Sequence, residues 1–117
     1  CHDLSEGGLA VAIAEMAFAG GTGATISLDR VPADLPGLTG AQRYAAILYS
    51  ESNSRFLVEV PVAHRAAFEQ CLSDTPWGLV GEVGSSKTLR FDFDASEPAW
   101  EYDISDLKEA WQSPLRW

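Results

Sequence analysis

The stretch His2-Asp3-Leu4-Ser5-Glu6-Gly7-Gly8-Leu9 runs straight into an alanine-rich apolar segment that lasts to Phe18, and its reading decides the fold. Leu9, Ile13 and Met16 recur at i, i+4 and i+7, one face of a helix. Ala10, Ala14, Ala17 and Phe18 extend the apolar surface onto neighbouring faces, and Glu15 is the only charge between positions 9 and 18. A helix this apolar all round is predicted to be buried on more than one side. One side would pack on a sheet, and another would meet a different domain or subunit. Ser5 or Asp3 is placed to cap its start, and Gly20-Gly21 to end it.

Working outward, residues 24–28 alternate as a strand. Pro32 and Pro36 punctuate the loop that follows. Thr39 is placed to cap a second helix over 40–48, with Tyr44, Ile47 and Leu48 as its apolar stripe. A polar run, Tyr49-Ser50-Glu51-Ser52-Asn53-Ser54-Arg55, then feeds Phe56-Leu57-Val58-Glu59-Val60, the clearest strand pattern in the chain; Pro61 stops it. A third helix is predicted over 64–72 with Phe68 and Leu72 inward. Strands follow over 77–83, 88–93 and 100–104, and Ser105 is placed to cap a last helix reaching Trp111. Helices mixed with strands, and a hairpin near the end, argue an α+β fold: a mostly antiparallel sheet covered by helices.

Composition narrows the function classes. With 46% hydrophobic and 21% charged residues, the chain reads as an ordinary soluble globular domain. Its 117 residues suit one domain, 1–117, and the opening on Cys1 without a methionine leads us to expect a fragment of something longer. Eight basic residues against 17 acidic give a net charge of -9, and the basic ones are scattered singly. Nucleic acid and acidic membrane surfaces are therefore not expected partners. Cys1 and Cys71 stand alone, without a CxxC pair, so no metal site is expected and a reducing, cytoplasmic location fits. No apolar run is long enough to span a membrane.

Two stretches carry candidate site residues. Gly7-Gly8 at a helix mouth reads either as a tight, closely packed start or as a backbone cradle for an anion. His2 reads either as the end of a strand or as the edge of a polar cleft, with Asp3 and Ser5 beside it. The polar run before the strand is either a solvated loop or a binding loop at a strand edge, in which Glu51 meets a hydroxyl or a metal-bound group and Arg55 pairs with Glu51 or with a phosphate. His64 is expected on the surface. Trp77, Trp100, Trp111 and Trp117 are expected to pack the core or an interface. No Ser/His/Asp or Cys/His set is present, so no catalytic residue is assigned.

The motif HDLSEGGLAVAIAEMAF (2–18), followed by YSESNSRFLVEV (49–60) and the ending DLKEAWQSPL (106–115), resembles the C-terminal domain of the phosphoribosylformylglycinamidine synthase family. The first motif alone is shared across the aminoimidazole ribonucleotide synthetase-like superfamily; the three together are more specific. The resemblance covers essentially the whole chain but only the last part of the family's much longer chains. It implies an α-β-α layered fold with partial likeness to ferredoxin-like domains.

It also implies an ATP- and magnesium-dependent carbon–nitrogen ligase of purine biosynthesis. That enzyme turns formylglycinamide ribonucleotide, with glutamine-derived ammonia, into its amidine. Implied partners are N-terminal domains of the same chain, a glutaminase subunit and a small bridging subunit. By this resemblance, ATP and Mg2+ belong to the full-length enzyme and are not bound mainly by this fragment, which would be inactive alone. His2, Asp3, Ser5, Gly7, Gly8, Glu51, Ser52 and Arg55 would line substrate or nucleotide in a cleft. The family is internally duplicated, and this chain resembles the later copy, in which Glu51, Ser52 and Asn53, with Asn where the earlier copy's substrate-contacting triplet has Gln, would line an auxiliary nucleotide site. The alternatives are a structural or regulatory module holding a non-hydrolysed nucleotide, or the same domain of another superfamily member such as aminoimidazole ribonucleotide synthetase.

Overall fold

A computed structural model describes residues 1–94 and 97–116, so Trp117 lies outside the described residues. The elements follow in the order β1 (His2–Asp3), α1 (Gly8–Gly20), β2 (Gly23–Ser27), α2 (Gly40–Tyr49), β3 (Phe56–Leu57), α3 (Arg65–Cys71), β4 (Gly81–Gly84), β5 (Thr88–Asp92), β6 (Trp100–Asp103) and α4 (Ile104–Gln112). The fold is α+β, as the sequence pattern predicts. Four strands form one sheet in the order β4-β2-β5-β6, and β1 pairs with β3 in a second, two-stranded sheet. Among the described residues β2 and β5 run parallel and the other pairings are antiparallel.

The register explains which residues face inward. Ala24 lies opposite Leu89 and Ile26 opposite Phe91, so the apolar positions of β2 and β5 share one face. Leu89 and Phe91 are buried there, in one core cluster with Leu9 and Ile13 of α1 and Ile47 of α2. The alternate positions, Thr25, Glu82, Arg90 and Glu101, form a polar face on which Arg90 donates to Asp92 at 2.7 Å and to Glu101 at 2.5 Å. That period-2 split is what a sheet with one covered face requires.

Helix α1 is the centre of the packing, and every residue from Gly8 to Phe18 is buried or half-buried. The chain itself surrounds it, with α2, α4, β1, β2 and β3 all in contact. Phe18 meets Trp111 of α4 with ring centroids 5.6 Å apart. Leu28, Ile47, Leu48 and Leu89 are fully buried, each contributing about 1.5–3 kcal/mol by removal from water. Tyr44, Phe93 and Trp100 stack edge to face at 4.8 and 4.6 Å, joining α2 to the end of the sheet.

Several local expectations are corrected. The strand expected over 56–60 pairs only at Phe56–Leu57, because its partner β1 offers just two residues; Val58–Val60 continue outside any ladder. The strand expected over 77–83 begins at Gly81, where pairing with Ile26 starts. Thr39 occupies the cap position of α2 but makes no side-chain cap hydrogen bond. The cap of α4 is Asp103, not Ser105: its carboxylate accepts from the Ser105 N–H at 2.7 Å. Neither Ser5 nor Asp3 caps α1, whose cap position is Gly7. Gly21, in the left-handed region, closes that helix as expected.

Candidate functional site

The mouth of α1 is built from two consecutive glycines with positive φ, +83° at Gly7 and +65° at Gly8. Gly8 is buried against the end of α2. A Cβ there would lie 2.7 Å from the Leu48 carbonyl oxygen and 2.9 Å from that of Ser50. Gly8 therefore serves close packing, the first of the two readings open for the pair. Gly7 is engaged by a side chain of the same chain. Its N–H donates to Oε1 of Glu51 at 2.7 Å, so a carboxylate sits at the positive end of the helix. The anion at this mouth belongs to the chain itself. It comes from the polar loop that the sequence marks as the other candidate stretch.

That loop is held by Arg55. Its Nη1 donates to the Ser50 carbonyl at 2.8 Å and to Ser50 Oγ at 2.6 Å, and its Nη2 to the Ile47 carbonyl at 3.4 Å. These are the carbonyls that the end of a helix leaves unmatched. Desolvation pulls the guanidinium pKa down, and the charge is retained against that cost by the three bonds. The expected pairing of Arg55 with Glu51 is thus corrected: the guanidinium is bonded to the end of α2 instead. Ser54 turns the loop with φ +64°, an uncommon value for a residue with a side chain.

The two stretches join at a shallow cleft of about 500 Å³, lined by Asp3, Ser5, Glu51, Ser52, Asn53 and Arg55, among others. A hydrogen bond from Ser5 holds the Asp3 carboxyl below its ordinary range. Asp3, Ser5, Glu51, Ser52 and Arg55 are therefore brought together as expected, and Gly7 is tied to them through Glu51. Gly8 is buried and is not among the residues that line the cleft.

His2 is also corrected, since it does not line the cleft. Its Nδ1 lies 2.6 Å from the Asp3 carbonyl and its Nε2 lies 2.8 Å from Glu15 Oε2 on α1. A carbonyl and a carboxylate only accept, so the two contacts favour the ring protonated on both nitrogens. The Asp3 carbonyl, then Glu15, raise its pKa above the ordinary 6.5. Glu15 is the residue that sequence reasoning left without a role, and the signal was its standing as the one charge in an apolar helix. His64 is exposed, as expected.

A second concavity, about 550 Å³, opens elsewhere between Met16, Val60, Phe68, Trp77 and Leu79. Among the described residues no group of three or more His, Cys, Asp or Glu is arranged to hold a metal ion.

Residues 1–94 match the model of the AIR synthase related protein, C-terminal domain. The chain belongs to that family. It is similar to the phosphoribosylformylglycinamidine synthase subunit PurL of Deinococcus radiodurans, 36% identical over 115 residues and spanning 98% of this chain. It is also similar to that of Thermosynechococcus vestitus, 39% identical over 118 residues and spanning 97% of it. It covers 14% of the length of each of these relatives. Among solved structures it resembles Thermotoga maritima PurL complexed with ATP, with a TM-score of 0.74 and 27% identity over 90% of this chain and 18% of that one. The structure of PurLQS from Thermotoga maritima superposes with a TM-score of 0.75 at 27% identity over 91% of this chain and 18% of that one. The family match takes in the elements from β1 to β5. The likeness to the PurL subunits reaches past residue 94, into the terminal helix.

Proposed function

We propose that this chain acts as the C-terminal domain of a phosphoribosylformylglycinamidine synthase. In that reading it is part of an ATP-dependent ligase that forms an amidine from formylglycinamide ribonucleotide and ammonia during purine biosynthesis. The observation that carries the reading is the reach of the likeness. The family model ends at residue 94, whereas the alignment to the Deinococcus radiodurans subunit takes in 98% of the chain. The terminal helix and its tail are thus shared with PurL subunits beyond what the family model matches.

On this reading the domain supplies one wall of an interdomain cleft, edged by Asp3, Ser5, Glu51 and Ser52, and is inactive alone. The donor set supports a wall role over a complete nucleotide site. Carboxylates and hydroxyls line the cleft, and its one arginine is committed to α2. Phosphates need cations or free N–H groups to neutralise them. ATP and Mg2+ would then be held chiefly by N-terminal domains, with a glutaminase subunit and a small bridging subunit delivering ammonia in the cytoplasm.

The test is an assay of the longest protein that carries this chain, supplied with formylglycinamide ribonucleotide, ATP, Mg2+ and ammonium. Amidine and ADP in equal amounts are expected, with none from the 117 residues alone. A protein that consumed the amidine, as an aminoimidazole ribonucleotide synthetase does, would sink the assignment.

A further inference from the structure

We propose that His2 is a proton-operated latch: charged, it ties β1 to α1 and holds one edge of the cleft in place; neutral, it lets that edge loosen. The inference is independent of the synthase reading. β1 is only two residues long, and the ladder holding it pairs His2 with Leu57 and Asp3 with Phe56. Beyond that ladder the strand is fastened by the Leu4 N–H, which donates to the Arg55 carbonyl at 3.0 Å, and by the His2 ring. The ring is the fastening that reaches across to α1, through Glu15. Asp3, Leu4 and Ser5 follow His2 without a break and line the cleft. A shift of His2 acts on that edge through the adjoining backbone, against the hold of Leu4, whose side chain is buried in the core.

The groups facing the ring fix the direction of the switch. From α1 comes the Glu15 carboxylate, 2.8 Å from Nε2. From β1 come the Asp3 carbonyl and, 3.8 Å from Nδ1, the Asp3 carboxylate. β3 offers Leu57 and Phe56 at the paired positions, and neither titrates. Every polar group named is an acceptor or an anion. Loss of one proton therefore leaves a nitrogen lone pair facing an oxygen lone pair on one side of the ring. That contact is repulsive, and the half-buried ring must turn or withdraw to relieve it. Histidine is the side chain whose ordinary range places this event near neutrality.

The experiment is a pH titration of the whole chain by nitrogen-detected NMR of the histidine rings, run alongside amide hydrogen exchange at Leu4. His2 should keep both ring protons to a pH above 6.5, the ordinary histidine value. Leu4 protection, corrected for intrinsic exchange, should fall several-fold as the pH rises through the His2 midpoint. Glu15→Gln should lower that midpoint. In His2→Gln the side chain cannot titrate, so Leu4 protection should be flat across the same range. A His2 midpoint at or below 6.5 overturns the latch. So does Leu4 protection that ignores the midpoint, or a pH dependence that survives in His2→Gln. The unmodified chain decides the matter even where a variant does not fold.

Discussion

Glu51 Oε1 accepts a hydrogen bond from the Gly7 N–H at 2.7 Å, and this contact joins two stretches 44 residues apart. It satisfies the N–H of the cap residue itself, whereas a capping Ser5 or Asp3 would have accepted from an N–H inside the first turn. Replacing Glu51 with Ala removes the acceptor from a helix end, which costs about 1 kcal/mol. Glu51→Gln keeps an acceptor but loses the attraction to the helix dipole, and should cost about half as much. Urea denaturation followed by far-UV circular dichroism measures both. Equal stability of the Ala variant and the unmodified chain would show that the cap carries no weight.

Gly8 is predicted to be far less replaceable than its backbone angle alone requires. Gly37 has an equally unusual φ of +80°, yet a Cβ there meets nothing within 4 Å. Gly37→Ala should therefore cost only the left-handed strain, about 1–2 kcal/mol. Gly8→Ala adds a clash with the Leu48 and Ser50 carbonyls and should cost at least about 2 kcal/mol more. Comparing the two variants by thermal unfolding separates strain from packing. Similar losses at both positions would mean that α1 can slide away from α2.

The contrast between these two glycines shows what the sequence made legible. Residue types announced the helices, since Leu9, Ile13 and Tyr44, Ile47, Leu48 repeat at helical spacing and are buried. The alternation of Leu89, Arg90, Phe91 and Asp92 likewise gave both faces of β5. Partner choice was not legible. Nothing local in Phe56–Val60 tells that the neighbouring strand is two residues long, so the strand was expected to be longer than it is. The same limit applies to the site. Glu51 and Arg55 both sit in a polar run, but tertiary placement sends one to Gly7 and the other to the end of α2. A pairing between them was plausible from spacing and is absent from the contacts each makes. His2 could be placed at a strand end, but its carboxylate partner lies 13 positions away on a helix face.

Arg55 is predicted to act on stability rather than on ligand charge. Its fork bonds the Ile47 and Ser50 carbonyls and Ser50 Oγ. Bonds from a charged donor contribute roughly 1.5–3 kcal/mol in sum when partly exposed. Arg55→Ala should lose about 2 kcal/mol of that, and Arg55→Lys about half, because an ammonium cannot span three acceptors in one plane. In the longest protein carrying the chain, the Lys variant should keep its KM for the ribonucleotide. A KM that rises while the urea midpoint stays fixed would return Arg55 to the ligand.

Stability should peak on a plateau bounded on its acid side partly by Asp103. The Ser105 side chain and N–H both donate to its carboxylate and hold its pKa below the ordinary 3.8. A depressed folded pKa means stability that is present above 3.8 and lost as the pH falls through the folded value. Asp3, shifted down by Ser5, contributes with the same sign. His2 bounds the other side with the opposite sign. Its raised pKa gives stability fully present below 6.5 and lost as the pH climbs through the folded value. The acid limb also contains other carboxylates of a chain with 17 Asp and Glu, so the contribution of Asp103 is read as a difference. Asp103→Asn keeps an acceptor at the cap of α4 but cannot ionise. Its urea midpoint should fall less steeply with acid than that of the unmodified chain, and the two curves should converge at the lowest pH. Parallel acid limbs would mean that the ionised cap does not favour the folded state.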